Sequence, residues 1–540
     1  MYLKHTKASG GRVYMAITQS YRDINGAPRS RTIKSLGYLD ELDAKYGDGL
    51  AYCKKEKKRL EAEYEANKLA KSVLLDTNAR IKTGAPIRKN IGFLAYRQVY
   101  KELGLASYLK RRATRARLNL PFNQVIEYLA YAYLNGIRNW EEAWNCHGAF
   151  FEAFNFSYDE MITSLKFAAS IDTDILRWIY RRIEKMNVLS GSTGYLAITN
   201  FYFDRGDCDS NENVSRFDST VQVGMLLDSN RFPISYSVFL GSDYEERLRK
   251  HINAAYVIDM LKDHYSKLKN IIVIADKGAS ASDETIAQIT KTGDYLFGLH
   301  AIECEPETRE WMMSESGYKT YGSDSYRSKE RLITRRVEIG SGRYLSRRVL
   351  PERQIAIWSK RQEGKRRTLR APITASAFES LESDKFAAFD ESLNIWADGY
   401  RLLVTSQTHS SIVQIATMYR LLQFARESFD SSYFETKGPS KNITWEEQIK
   451  AHCLISYIAS LLAAILQVKV NGKYSAKQIE QTLAFANGTE IENGWCVFDH
   501  YDEALEAVGN AVGIDFGRKY MSAEEIRHML IEQKKKKNKS

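Results

Sequence analysis

Apolar positions along this chain change period several times, and each change marks a predicted element. Residues 11 to 36 alternate apolar and polar every second position, in GRVYMAITQSYRD and again in RSRTIKSLGYL, with NGAP between them. That alternation predicts a small β-hairpin, with Val13, Met15, Ile17 and Ile33 as its core and Arg12, Arg22, Arg29, Arg31 and Lys34 making it basic. From about Gly49 to Lys71 the run KKEKKRLEAEYEANK predicts a solvated, highly charged helix. Residues 90 to 190 carry helical spacing in IGFLAYRQVYKELGLASYL, PFNQVIEYLAYAYLNG, NWEEAWNCHGAFFEAF and TDILRWIYRRIEKM. The apolar stretch CLISYIASLLAAILQV reads as a fully buried core helix, short of a membrane span. His452, just before that stretch, is expected to be a hydrogen-bonded core or helix-end histidine.

The middle of the chain switches to strands. YLAITNFYFD, TVQVGMLLD and FPISYSVFLG predict three strands, HINAAYVIDMLKDHY a helix, and IIVIAD a buried strand ending on Asp276. A helix at ASDETIAQITK and a strand at YLFGLH follow. Three meander strands, a helix and a fourth strand are the opening order of an RNase H-like fold. Between 305 and 400 the segments KERLITRRVEIG, YLSRRVLP and RQIAIWSKR predict a β-rich, basic stretch. ADGYRLLVTSQ then gives a short strand, and Ile412, Ile415, Met418, Tyr419, Leu422 and Phe429 mark one amphipathic helix from Ser410 to Phe429.

Composition narrows the classes. At 540 residues the chain needs several structural units. A hydrophobic share of 44% against 27% charged excludes a disordered or fibrous protein. The net charge of +11 favours polyanionic partners. The dispersed cysteines form no CxxC pair, so reduced thiols are expected and structural zinc is not. The start lacks an apolar run of signal-peptide length, so a cytoplasmic, nucleoid-associated location is expected, with no membrane partner.

The chain resembles the bacterial insertion-sequence transposases of the DDE class, in the branch whose RNase H-like domain carries a β-rich insertion before the last catalytic acid. The resemblance lies in SYRDINGAPRSRTIKSLGYLDEL, YLAITNFYF, VQVGMLLDSNRFPISYSVFLGS, VIADKGASAS, ADGYRLLVTS, ESF at 427 to 429, and EEQIKAHCLISYIASLL. It implies a multidomain α+β or α/β chain. The expected parts are a hairpin module at 1–48, a helical DNA-binding region at 49–190, an RNase H-like core at 191–304 and 395–470, a basic β-rich insertion at 305–394, and a mixed segment with a lysine tail at 471–540.

Such transposases use an Asp in the first strand, an Asp ending the fourth, and a Glu in a Tyr-x-x-Arg-x-x-x-Glu-x-x-x-x-x-x-Lys helix. Together these acids hold two magnesium ions for phosphodiester chemistry. Here Asp276 matches the second acid, Ala197 falls at the first, and Arg426 falls at the glutamate. Leu422 falls at the arginine and Tyr433 at the lysine. Asp204 and Glu427 are the candidate substitutes. Strand alternation puts Asp204 on the face opposite position 197, and Glu427 is turned about 100° from Arg426 around the helix.

The resemblance therefore implies a homodimeric, double-stranded-DNA-binding protein without strand cleavage. Its expected phosphate contacts are Lys110, Arg111, Arg112, Arg115 and Arg117, then Arg335, Arg336, Arg347 and Arg348, then Lys365, Arg366, Arg367 and Arg370. No bound metal is expected in that case. An active transposase working through Asp204, Asp276 and Glu427 with magnesium or manganese is one alternative. A scaffold that captures a protein partner on the same fold is the other.

Overall fold

The computed structural model describes residues 1–8, 10–22, 28–69, 88–137, 139–202, 220–239, 268–276, 283–291, 293–301, 304–320, 326–339, 346–359, 399–429, 443–491 and 494–535. It separates into two compact units, one of Met1–Arg80 with Ile491–Gly494 and one of Ile81–Glu490 with Trp495–Ser540.

In the first unit, β1 (Tyr2–Lys7), β2 (Val13–Arg22) and β3 (Pro28–Tyr38) form an antiparallel sheet, followed by α1 (Leu39–Tyr46) and α2 (Gly49–Leu69). The predicted hairpin is thus two strands of a three-stranded sheet. Strand β1, YLKHTK, is largely polar and exposed, so alternation could not reveal it; pairing of Leu3 with Ile17 and His5 with Met15 forms it. Met15 and Ile17 are fully buried as expected, whereas Ile33 is exposed. Register shifts on either side of Ala16 and Ile17 alter the facing in the β2–β3 pair. Arg12 pairs with Asp40 and Glu41 at 2.8 and 2.6 Å and lies over the Tyr38 ring.

The second unit begins with β4 (Arg88–Asn90) and six helices: α3 (Phe93–Glu102), α4 (Leu105–Arg115), α5 (Phe122–Leu134), α6 (Trp140–Asn145), α7 (Tyr158–Ser170) and α8 (Asp172–Met186). Sheet strands then follow as β5 (Thr193–Tyr202), β6 (Thr220–Leu227), β7 (Pro233–Phe239) and β8 (Asn270–Asp276). After α9 (Asp283–Ile289) come β9 (Asp294–His300), α10 (Pro306–Met313), β10 (Lys319–Thr320), β11 (Tyr326–Ile339), β12 (Ser346–Ser359) and β13 (Tyr400–Thr405). The chain continues through α11 (Ile412–Tyr419), α12 (Leu421–Ser428), α13 (Trp445–Lys469) and α14 (Ala476–Phe485). It ends with β14 (Asn487–Ile491), β15 (Trp495–Phe498), α15 (Glu503–Val512), β16 (Tyr520–Ser522) and α16 (Ala523–Lys535).

One mixed sheet organises this unit, in the order β10-β11-β12-β13-β9-β8-β5-β6-β7. β5, β6 and β7 are an antiparallel meander, while β8 joins β5 and β9 in parallel. Strand β8 is the uninterrupted apolar run NIIVIAD and is buried from Ile271 to Ala275, as a central parallel strand must be. The 14-residue strands β11 and β12 pair along their whole length, and β12 pairs with β13. Most of the described part of the β-rich stretch therefore extends the same sheet. The predicted helix at residues 251–265 lies outside the described residues.

Helix α13 runs through the core beneath α5, α7 and β7. Its apolar residues from Ile449 to Leu466 are buried on nearly every side, and a Thr444–Glu447 capping box starts it. It is long and apolar enough to cross a membrane, but most of it is buried inside the fold. His452 is buried on it, in contact with Ser456 Oγ at 3.2 Å. The single helix expected from Ser410 to Phe429 is two, divided at Arg420. A Ser411–Gln414 box starts α11, and Leu421 and Leu422 turn into the core directly after the break.

Candidate functional site

The parallel register of β5 and β8 pairs Ala197 with Ile274 and Ile198 with Ala275. Continued by one residue, it sets Thr199 level with Asp276. Paired residues of parallel strands share a face, so Ala197, Thr199, Ile274 and Asp276 belong to one side of the sheet. Ala197 is fully buried. Asp276 is the last residue of β8, where the carboxylate emerges from the apolar run and keeps 21% side-chain exposure.

On the other side of β8, Asp276 pairs with Gly298 of β9, and His300 of β9 pairs with Arg401 of β13. This brings Arg401 to the acid. Its Nη1 donates to Asp276 Oδ1 and Oδ2, both at 3.0 Å, and its Nη2 lies 3.3 Å from His300 Nε2. Tyr419, the last residue of α11, donates its hydroxyl to Asp276 Oδ1 at 3.0 Å and also touches Arg401 Nη1. A Cβ on Gly298 would sit 2.1 Å from the Tyr419 hydroxyl, so the tyrosine reaches the acid because this position has no side chain.

Burial pulls the Arg401 pKa down, but Tyr419 and Asp276 outweigh it, and the guanidinium is held charged above its usual range. Burial pushes the Tyr419 phenol well above its usual value. Arg401 pulls against that shift and Asp276 adds to it. The group is therefore a neutral phenol beside a closed carboxylate–guanidinium pair.

Helix α12 carries Arg426 to the neighbouring strand, where its Nε donates to Thr199 Oγ1 at 3.2 Å. Glu427, the next residue, is exposed and accepts from Gln423 Nε2 at 2.8 Å. Asp276, His300, Arg401, Tyr419, Gln423, Arg426 and Glu427 line a cleft of about 690 Å³, together with Tyr326, Tyr400 and Arg420.

A pair of magnesium ions needs several oxygen ligands in near-octahedral geometry. Here a methyl stands at Ala197, a guanidinium at Arg426, and both Asp276 oxygens are engaged by Arg401. The residues described at this place do not fit two divalent ions. Asp204, the other candidate acid, lies outside the described residues.

The basic side chains expected to meet phosphates occupy different surroundings. On and just after α4, Lys110, Arg111, Arg115 and Arg117 are exposed, while Arg112 donates to Asp174 at 2.5 Å. Arg111 lies over Trp178, which stacks on Tyr108 at 4.7 Å. On β11 and β12, Arg336 is exposed and Arg348 half-buried, and Arg347 pairs with Glu338 at 2.9 Å. Arg335 is committed inward, to Asp283 at 3.0 Å and the buried Glu352 at 3.1 Å. Lys365, Arg366, Arg367 and Arg370 lie outside the described residues.

Arg401 and His300 were not foreseen. A lone arginine in ADGYRLLVTS gives no sign of its partner, which is set by pairing across β8, β9 and β13.

Residues 3–72 match the IS1634 family transposase, N-terminal domain, a span that takes in β1 to β3, α1 and α2. No curated protein matches the chain. Among solved structures, the chain is similar to the piggyBac transposase in its cryo-EM synaptic complex with hairpin DNA. The identity is 11%, over 66% of this chain and 70% of that one, with a TM-score of 0.33. The match of residues 3–72 supports a transposase family for that N-terminal stretch.

Proposed function

We infer that the protein is a transposase-derived DNA-binding protein that does not cut DNA. The observation that carries the second half is the closed Asp276–Arg401–Tyr419 cluster. A carboxylate already bound by a fixed guanidinium and a phenol would have to give up both before a cation could use it. The position one strand over offers Ala197, and the facing helix offers Arg426. The strand order of the meander followed by parallel β8 and β9 supports reading this part as an RNase H-like core. The family of residues 3–72 and the net charge of +11 support DNA as the ligand class. Affinity would come from Lys and Arg on phosphates, with Lys110, Arg111, Arg115 and Arg117 as the exposed group on one short segment.

The test is one gel series with the DNA flanking this protein's own gene, run across salt concentrations with and without magnesium or manganese. Shifts that weaken steeply with salt and no nicks under either metal are expected. Each phosphate contact removed, as in Arg111→Ala, should lower the slope of log K against log salt by about 0.9. Metal-dependent nicks that vanish in Asp276→Ala would overturn the reading of an uncut substrate. A salt dependence no steeper than that of a neutral control protein would overturn the DNA partner.

A further inference from the structure

The cleft beside Asp276 is ligand-sized and its charges do not cancel. At about 690 Å³ it lies within the range of small-molecule sites, roughly 300–1,000 Å³. Three guanidinium groups line it, from Arg401, Arg420 and Arg426, against the two carboxylates of Asp276 and Glu427. Asp276 is neutralised at contact by Arg401, so it opposes an incoming anion weakly. Glu427 is exposed and hydrogen-bonded by Gln423, and it is the remaining negative charge set against Arg420 and Arg426.

Arg426 is held in one orientation by the bond from its Nε to Thr199 Oγ1. A fixed guanidinium loses less entropy on binding than a mobile lysine would, and its planar fork matches phosphate oxygens. The cleft is also lined by Tyr326, which pairs with Ser359 of β12 and so shares the sheet face of Ile357 and Arg401, whereas Tyr400, opposite Trp358, turns its ring to the other face, where its hydroxyl accepts from Arg327 and its ring meets Tyr318. Arginines and one tyrosine ring lining the same cleft are what a single unstacked nucleotide needs, charge for its phosphate and a ring for its base.

We propose that this cleft is a metal-independent site for one nucleotide unit. Arg420 and Arg426 take its phosphate and Tyr326 takes its base, whether it arrives as a free nucleotide or as the phosphorylated end of a single strand. The proposal rests on the reading that Asp276 no longer serves metal, and it assigns the space around that acid a different ligand.

Calorimetric titration of the full chain in EDTA tests it with three probes: 2′-deoxyadenosine 5′-monophosphate, deoxyadenosine, and a 5′-phosphorylated thymidine trinucleotide. Saturable binding of either phosphorylated probe is expected, with deoxyadenosine at least about tenfold weaker. The monophosphate binding would assign a free nucleotide, and the trinucleotide alone a strand end. Arg420→Gln, on an exposed residue, and Arg426→Gln should each weaken the bound probe about tenfold. No binding of either phosphorylated probe, equal binding of deoxyadenosine, or binding that appears only after magnesium is added would overturn the proposal. Salt-dependent shifting of duplex DNA, measured on the same preparation, separates the two readings. Nucleotide failure with duplex binding intact overturns this site alone, and loss of duplex binding with nucleotide binding intact overturns the DNA partner alone.

Discussion

Gly298 decides whether Tyr419 can reach Asp276. Any Cβ there would fall 2.1 Å from the tyrosine hydroxyl, so Gly298→Ala must push the ring, and with it α11, off the sheet. Thermal unfolding should show a loss of about 1–3 kcal/mol, the usual cost of forcing atoms into a packed site. A variant as stable as the parent would mean that the ring moves aside freely. A second residue makes a pH prediction. Asp172 starts α8 and accepts from the Thr173 backbone N–H at 2.6 Å, yet burial, opposed by its bonds to Thr173, raises its pKa above the usual 3.8. A folded-state value above the unfolded one favours the fold at low pH, and that contribution is lost as pH rises through the folded value. Asp172→Asn keeps an oxygen acceptor without the buried charge. Chemical denaturation should therefore find the variant more stable than the parent at pH 7, with the advantage gone below pH 3.8. A variant less stable at neutral pH would show that the charge itself is needed.

At the scale of elements, Arg335 ties α9 to the β11–β12 pair by bridging Asp283 and Glu352, and Tyr295 of β9 donates to the same Glu352 at 2.9 Å. Burial works against this guanidinium, and Glu352 and Asp283 more than restore it. Arg335→Ala would strand a buried carboxylate and should cost about 3–5 kcal/mol in denaturant unfolding. Its neighbour Arg336 is exposed on the opposite strand face, so Arg336→Ala should change stability by no more than about 0.5 kcal/mol. The comparison separates two arginines that a basic run cannot tell apart. Equal stability of the two variants would contradict the bridge. The same limit of local pattern explains the other differences between expectation and structure. Strand β1 was hidden because its residues are polar and exposed, and the break at Arg420 left the helical spacing of Ile415, Met418 and Leu422 intact on either side.

Across the whole molecule, the buried apolar run of β8, the meander of β5 to β7, and the core helix α13 were legible in the sequence. Each is a period or a run of residues that must leave water, and that requirement is local. The position of Asp276 at a strand end was legible for the same reason. What tertiary structure decided is what that acid touches. Arg401 lies 125 residues away and Tyr419 143, and both arrive by strand pairing and helix packing that no spacing encodes. The sequence by itself determined the strands and helices whose residues follow an apolar period or run, and which side chains can carry charge. The fold determined that one arginine of a basic run serves the core, that the lone Arg401 closes on the acid, and that a residue without a side chain lets a phenol complete the cluster. Hydrophobic periodicity acts along the chain, whereas ion pairs and close contacts depend on distances set by long-range register.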